Sequence, residues 1–289
     1  MNRELTIVFN SYQSQHLLSN VIKKINKNYK ILIIENSLQL SVKISLEKKF
    51  KNVEVVIPRT NLGLAKSYNL AIQKSRTKYV FLNNPDLEIT NQSIKSLLEC
   101  AKKIKKFGII APSYRSEKNF KNYEIFSKKK NKQVGVFKKF KIIEVDLIDN
   151  NFLVEKKTIT KNPFDENYFL FFETFDFSKN LKKKNFKLYI SKKIKFHHYG
   201  SSSIHPSFNN LVKKTRAFHY NWSKYYFLKK NYNYILAIKK IFPNFKKAIF
   251  GILINFLKLN FKKMYLGFLE LLGIVTSILN LKSFYRPNN

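Results

Sequence analysis

Apolar residues in the first half of this chain come in short, nearly unbroken runs. Residues 5–9, 30–34, 53–57 and 79–82 are rich in β-branched, leucine and aromatic side chains and leave little room for a solvated face. Runs of that length and type predict strands buried on both sides. Between them, residues 16–28 and 61–75 carry apolar positions at helical spacing. Strand and helix in alternation predict βαβ units and a largely parallel sheet covered by helices. Three of the strand runs stop at a polar group: Asn10 after the first, Glu35 after the second, and Asn83-Asn84-Pro85-Asp86 after the fourth; Pro58 closes the third. Pro85 lacks an N–H and cannot continue a ladder. Open α/β sheets bind ligands beyond their carboxyl ends, so these polar ends predict a nucleotide site, with Asp86 able to hold a divalent cation against a diphosphate.

A second chemical cluster follows an aromatic run. Residues 169–172 (Phe-Leu-Phe-Phe) read as a strand entering a helix over 173–184, with acids in its first turn and lysines in its last, as the helix dipole favours. Glu173 and Asp176 are three residues apart, which puts both carboxylates on one helical face. Such a pair serves as a cap, or as a base with an orienting acid. Further on, a basic strand over 187–190 and a connector over 191–196 lead to His197 and His198. Neutral imidazole binds metals and donates to phosphate, and the pattern does not separate the two histidines.

Composition changes this picture in two ways. The chain has 289 residues with 44% apolar content, enough for one large domain and an appendage. A single cysteine, Cys100, excludes an internal disulfide framework and fits a reducing compartment. No secretory signal pattern is evident, so a cytoplasmic location is expected. The formal charge is +37, which favours anionic partners: a diphosphate substrate or acidic lipid. Lysines are spread along the chain without a nucleic-acid-binding module, and no nucleic acid partner is expected.

Beyond residue 205 the texture becomes aromatic, basic and helical. Residues 248–257 and 264–281 are apolar helical segments punctuated by Lys246, Lys247, Lys258, Lys262 and Lys263. Glu270 interrupts the longer one, which argues against a bilayer span. Interfacial helices on an anionic membrane surface fit the pattern; helices packing on the catalytic domain or on a second subunit are the alternative. We therefore expect a domain over residues 1–205 and a basic amphipathic helical extension over residues 206–289.

The ordered motifs resemble family 2 inverting glycosyltransferases, nearest the bacterial rhamnosyltransferase-like branch. Residues 7–14 resemble the family's first strand and turn, Glu35-Asn36-Ser37 its nucleoside-contacting motif, and Asn61-Leu62-Gly63 with Asn69 its "NxGxxxxxN" pattern. Leu82-Asn83-Asn84-Pro85-Asp86 resembles the metal-binding "LNPD" form with one extra Asn; residues 162–176 and the His198 to Ser202 turn continue the order.

The resemblance implies a GT-A-like fold with a mixed, mostly parallel sheet. It implies a nucleotide diphosphate sugar donor, contacted by Asn10, Glu35, Asn61, Gly63 and Asn84. It further implies Mg²⁺ or Mn²⁺ on Asp86 and His198, and transfer of a hexose or deoxyhexose to a cell-surface glycan or lipid-linked acceptor at the inner face of the cell membrane. Relatives read Glu-Asp-x-Asp where this chain has Glu173-Thr174-Phe175-Asp176. Threonine cannot act as a base, so Asp176 or Glu173 takes that role, with Asp176 preferred. A catalytically impaired homologue that binds a glycan or partner, and a basic membrane-surface protein, are the rival expectations.

Overall fold

A computed structural model describes residues 2–115, 121–126, 139–198 and 203–286 of the chain. The solid apolar runs form strands β1 (Asn2–Ser11), β2 (Tyr29–Glu35), β3 (Val53–Val56) and β4 (Tyr79–Asn83). Helices α1 (Gln15–Lys23), α2 (Leu40–Lys49) and α3 (Gly63–Lys74) connect them. Then come β5 (Leu87–Glu88), α4 (Asn91–Lys103), β6 (Ile109–Arg115), β7 (Tyr123–Glu124), β8 (Ile142–Val145), β9 (Leu147–Ile148) and β10 (Phe152–Glu155). After α5 (Glu173–Lys183) and β11 (Leu188–His198), three helices close the chain: α6 (Asn209–Asn231), α7 (Tyr234–Leu257) and α8 (Phe261–Ile278).

The main sheet runs β3-β2-β1-β4-β10-β6-β11-β5, with β8 also on β11. The first four strands are mutually parallel, whereas β10 is antiparallel to both β4 and β6. The sheet is thus mixed, with its parallel half built from the first ninety residues. The chain steps outward from β1 to β3 and then returns to the other side of β1 as β4. That reversal makes the carboxyl ends of β1 and β4 a topological switch point, where a crevice opens.

Why the strand runs are solid follows from the layers. In β1, Leu5, Ile7 and Phe9 face one core cluster while Val8 faces the other. The same alternation divides Ile31 and Ile33 from Leu32 and Ile34. Helices α1, α2 and α4 cover the first face; α3, α5 and α6 cover the second. With both faces dry, nearly every central position is apolar, as expected for parallel strands; the buried exception in β1, Thr6, pairs its hydroxyl with that of Thr77 at 2.8 Å.

Two sequence expectations are corrected. Residues 169–172 form no strand: Phe171 and Phe172 have positive φ (71° and 65°), which a ladder does not tolerate. Residues 191–196 are no connector, because they continue β11 through a register shift between Ser191 and Lys195.

The C-terminal helices stack on the second layer. Phe218 and Trp222 of α6 enter that core, and the Trp222 carbonyl accepts from Ser277 Oγ of α8 at 2.9 Å. Helix α8 approaches so closely that a Cβ on Gly273 would lie 2.3 Å from the Phe218 carbonyl oxygen. Gly273→Ala therefore forces the helices apart and destabilises the fold by about 1–3 kcal/mol. Thermal or denaturant unfolding reads this; an unchanged midpoint would show that the α6–α8 contact yields freely.

Candidate active site

At the switch point lies a cavity of about 440 Å³. The ends of β1 and β2 supply Asn10, Tyr12 and Asn36, and the turn after β4 supplies Asn84, Pro85 and Asp86. Asp149 and Asn150 come from the turn before β10, and residues 169–173 form another wall. Helix α6 closes one side with Val212, Thr215, Arg216 and Tyr220. Asp86 and Glu173, 87 positions apart in sequence, thus share one cavity.

Asn36 organises the β1–β2 side. Its Nδ2 donates to Asn10 Oδ1 (2.6 Å) and to Ser67 Oγ (2.9 Å), while its Oδ1 accepts from the Leu62 amide (2.9 Å). Glu35, expected to contact the donor, is instead buried and outside the cavity lining. Its carboxylate accepts from Ser11 Oγ (2.5 Å) and the Ser37 amide (2.8 Å), so it shapes the turn from behind. Asn61 Oδ1 receives the Gly63 amide at 3.0 Å, which sets the entry to α3. Asn84 is fixed by its amide on Asn151 Oδ1 (2.8 Å).

Gly63 joins the two walls. Its φ is +69°, and a Cβ there would lie 2.3 Å from the Phe169 carbonyl oxygen. That carbonyl accepts from the Leu64 amide at 2.7 Å. Only glycine permits both the positive φ and this approach. The next residues, Phe171 and Phe172, sit in the left-handed region without being glycine, a conformation that costs on the order of 1–3 kcal/mol per residue. Packing overrides the cost: Leu170 O accepts from Ser223 Oγ (2.8 Å), and the Phe172 ring contacts those of Tyr220 and Phe227. The strained turn delivers Glu173 into the cavity at the start of α5.

The two acids of that helix have different surroundings. Asp176 is fully buried and outside the lining. Its carboxylate receives Lys230 Nζ (2.7 Å), Asn231 Nδ2 (2.7 Å) and Asn180 Nδ2 (3.2 Å), and Lys230 also binds Asp165 (2.7 Å). Glu173 lines the cavity, and its Oε2 has no hydrogen-bond partner among the described residues. Burial pushes its carboxyl up to about 8, with its own backbone amide opposing and the Asp149 charge adding to the rise. Thr174 Oγ1 donates to Asp149 Oδ1 at 3.0 Å, and the Asn150 amide donates to the same oxygen at 3.0 Å.

No group of three or more His, Cys, Asp or Glu able to hold a metal occurs among the described residues. Backbone pairing sets His198 opposite Leu87, one residue from Asp86; its side chain and the turn after it, residues 199–202, lie outside what is described. Asp149, Arg216 and Tyr220 are among the cavity residues that went unread in the sequence, whereas Asn36 belongs to the motif at residues 35–37. Asp149-Asn150-Asn151 ahead of the apolar run 152–154 was a usable signal. Because β10 runs antiparallel to β4, its starting turn reaches the same sheet edge as β4's end.

The comparisons with known proteins agree with this architecture. GalNAc-T7 in complex with UDP, GalNAc and Mn²⁺ is similar over 82% of this chain (TM-score 0.56, 14% identity); the chain spans 54% of that protein's length. The mannosyltransferase PcManGT from Pyrobaculum calidifontis, in complex with GDP-Man and Mn²⁺, is similar over 96% of this chain and 87% of its own (TM-score 0.56, 8% identity). S. aureus TarS 1-349 in complex with UDP-GlcNAc is similar over 98% and 93% (TM-score 0.52, 13% identity). At these identities the likeness is one of fold, and the fold is GT-A. No curated protein matches in sequence. The model of glycosyl transferase family 2 matches residues 6–167, more than half of the chain. This chain belongs to glycosyl transferase family 2.

Proposed function

We propose that the protein is an inverting glycosyltransferase of the rhamnosyltransferase-like branch. It moves a hexose or deoxyhexose from a nucleotide diphosphate sugar to a cell-surface glycan or lipid-linked acceptor, at the inner face of the cell membrane. The observation that carries this reading is the meeting of Asp86 and Glu173 in one cavity at the switch point of a family 2 chain. Neighbours of the same fold are solved with UDP, GDP-Man or UDP-GlcNAc, two of them with Mn²⁺.

In this reading the nucleotide lies along Asn10, Asn36, Asn61 and Gly63, with its diphosphate toward Asn84, Asp86 and Arg216. Asp86 and His198 would hold Mg²⁺ or Mn²⁺. One or two protein groups suffice for such an ion, which takes the rest of its shell from substrate phosphates and water. When bound, the cation would neutralise the diphosphate as a leaving group. Arg216, on the cavity wall, adds a fixed positive charge to the same task.

Glu173 replaces Asp176 as the proposed base, because Asp176 is spent on Lys230, Asn231 and Asn180. The acceptor oxygen forms its bond to the anomeric carbon while the carbon–phosphate oxygen bond breaks on the opposite face. The diphosphate leaves with the electron pair, and the acceptor's proton passes to Glu173. One displacement inverts the configuration without a covalent sugar–enzyme intermediate. A base whose affinity for a proton is raised toward neutral pH suits that transfer. The carboxylate missing at 174 has a counterpart in Asp149, held by the Thr174 hydroxyl. Thr174 also favours a second reading, a donor-binding homologue without turnover, which the assays below distinguish.

Release of nucleotide diphosphate from a panel of donors, with and without Mn²⁺, tests the assignment. Asp86→Ala and Glu173→Gln each lower kcat by about a hundredfold or more. Asp176→Asn keeps kcat within about tenfold but costs on the order of 1.5–3 kcal/mol of stability. Full turnover by Glu173→Gln would remove it as the base; donor binding without release by the unaltered protein would establish the second reading.

The raised Glu173 carboxyl also fixes a pH dependence. A base works ionised, so kcat/KM rises with pH and levels off above about 8. Unfolded, this glutamate ionises near 4.5; folded, it holds its proton to about 8. Stability therefore falls as pH rises between those values. Glu173→Gln escapes this loss, so its melting temperature exceeds that of the unaltered protein by an amount that grows from pH 4.5 to 8. A constant difference across that range would contradict the buried-carboxyl explanation.

A further inference from the structure

The last helix exposes an apolar face that neither the catalytic cavity nor the core accounts for. Along α8 and at its C-cap, Phe261, Tyr265, Phe268, Leu272, Val275 and Leu279 are all exposed. They follow one another at alternating steps of four and three, so they form a single stripe along the helix. The opposite side of α8, including Gly273, Ile274 and Ser277, is the one buried against α6. On α7, Phe250, Leu253, Ile254 and Leu257 are exposed as well, but on the side turned away from Ala248 and Ile252, which pack on α8 at Gly267. The continuous stripe on α8 is the apolar surface that marks an interaction site.

Charge decides what it meets. Helix α7 has no acidic residue, and α8 has only Glu270, which is half-buried and feels the charge of Lys247. Lys246, four residues before Phe250, lies on the same side of α7, and its ammonium sits 4.7 Å from the Phe242 ring. Lys258, Lys262 and Lys263 are exposed where α7 turns into α8, and none of these lysines forms an ion pair with a described residue. A second copy mated through this face would bring uncompensated lysines together. No helix among the described residues is long and apolar enough to cross a membrane. What remains is an apolar stripe with a cationic border, the composition of a helix lying in the plane of an anionic bilayer.

We propose that the exposed stripe of α8 docks the protein onto an anionic lipid surface, with the stripe in the headgroup boundary and the lysines of the α7–α8 turn against acidic headgroups. This assignment deepens the membrane location of the proposed function but not its chemistry, since binding needs neither donor nor acceptor.

The test is co-sedimentation of the full chain with vesicles of phosphatidylcholine and phosphatidylglycerol in equal parts, and with phosphatidylcholine alone. Binding is at least tenfold tighter to the mixed vesicles and weakens with added salt. Reversing Lys258, Lys262 and Lys263 to Glu weakens it by about a hundredfold or more. The surface change Phe261→Asn/Phe268→Asn/Leu272→Asn weakens it by a similar factor, with circular dichroism and melting temperature unchanged. Equal binding to both vesicle types, or indifference to either set of changes, would overturn the proposal. So would vesicle-free self-association that the Asn variant abolishes, which would make the face a subunit interface. Loss of nucleotide release with vesicle binding intact would count against the transferase reading alone.

Discussion

Everything at the candidate site depends on the close passage of residue 169 over residue 63. The Phe169 carbonyl lies where a Cβ on residue 63 would be, and the Leu64 amide binds it from the start of α3. This contact fastens a strained aromatic turn to the helix that follows β3, beside the switch point of the sheet. One wall of the cavity carries Asp86 at the end of β4; the other carries Glu173 at the start of α5. Without the glycine, the second wall would have to move, and with it the proposed base.

The site also concentrates the features that cost stability. Two phenylalanines hold left-handed backbone, and a buried glutamate has an oxygen with no hydrogen-bond partner among the described residues. Core packing elsewhere offsets these costs, through the two layers around the sheet and through α6. Strain and burial together leave Glu173 oriented and basic, conditions that proton transfer needs and stability alone would disfavour. The neighbouring Asp176 illustrates the opposite outcome. Pinned by one ammonium and two amides, it secures α5 to the end of α6, a structural task that its spacing from Glu173 did not disclose.

Much of the parallel half was legible, because strands covered on both faces must be apolar throughout and such runs are hard to mistake. The polar strand ends at Asn10 and Asp86 gave the cavity edge for the same reason. Helix α2 was hidden because its apolar residues Leu40, Val42, Ile44 and Leu46 alternate like a strand, while only Val42 and Leu46 are buried. The 169–172 segment misled because aromatic residues favour strands, and tertiary contacts alone dictate its positive φ. Asp149 escaped notice because strand direction decides which end of a run faces the cavity. The choice between Glu173 and Asp176 required Lys230, 54 positions beyond Asp176. Spacing along a helix cannot say which carboxylate a distant cation will claim.

A crystal structure of the protein with a nucleoside diphosphate and Mn²⁺ tests the central claim most directly. The account predicts an anomalous manganese peak within bonding distance of the Asp86 carboxylate, the diphosphate beside Arg216, and Glu173 facing the open acceptor side. Nucleotide bound away from this cavity, or manganese bound with Asp86 uninvolved, would contradict it.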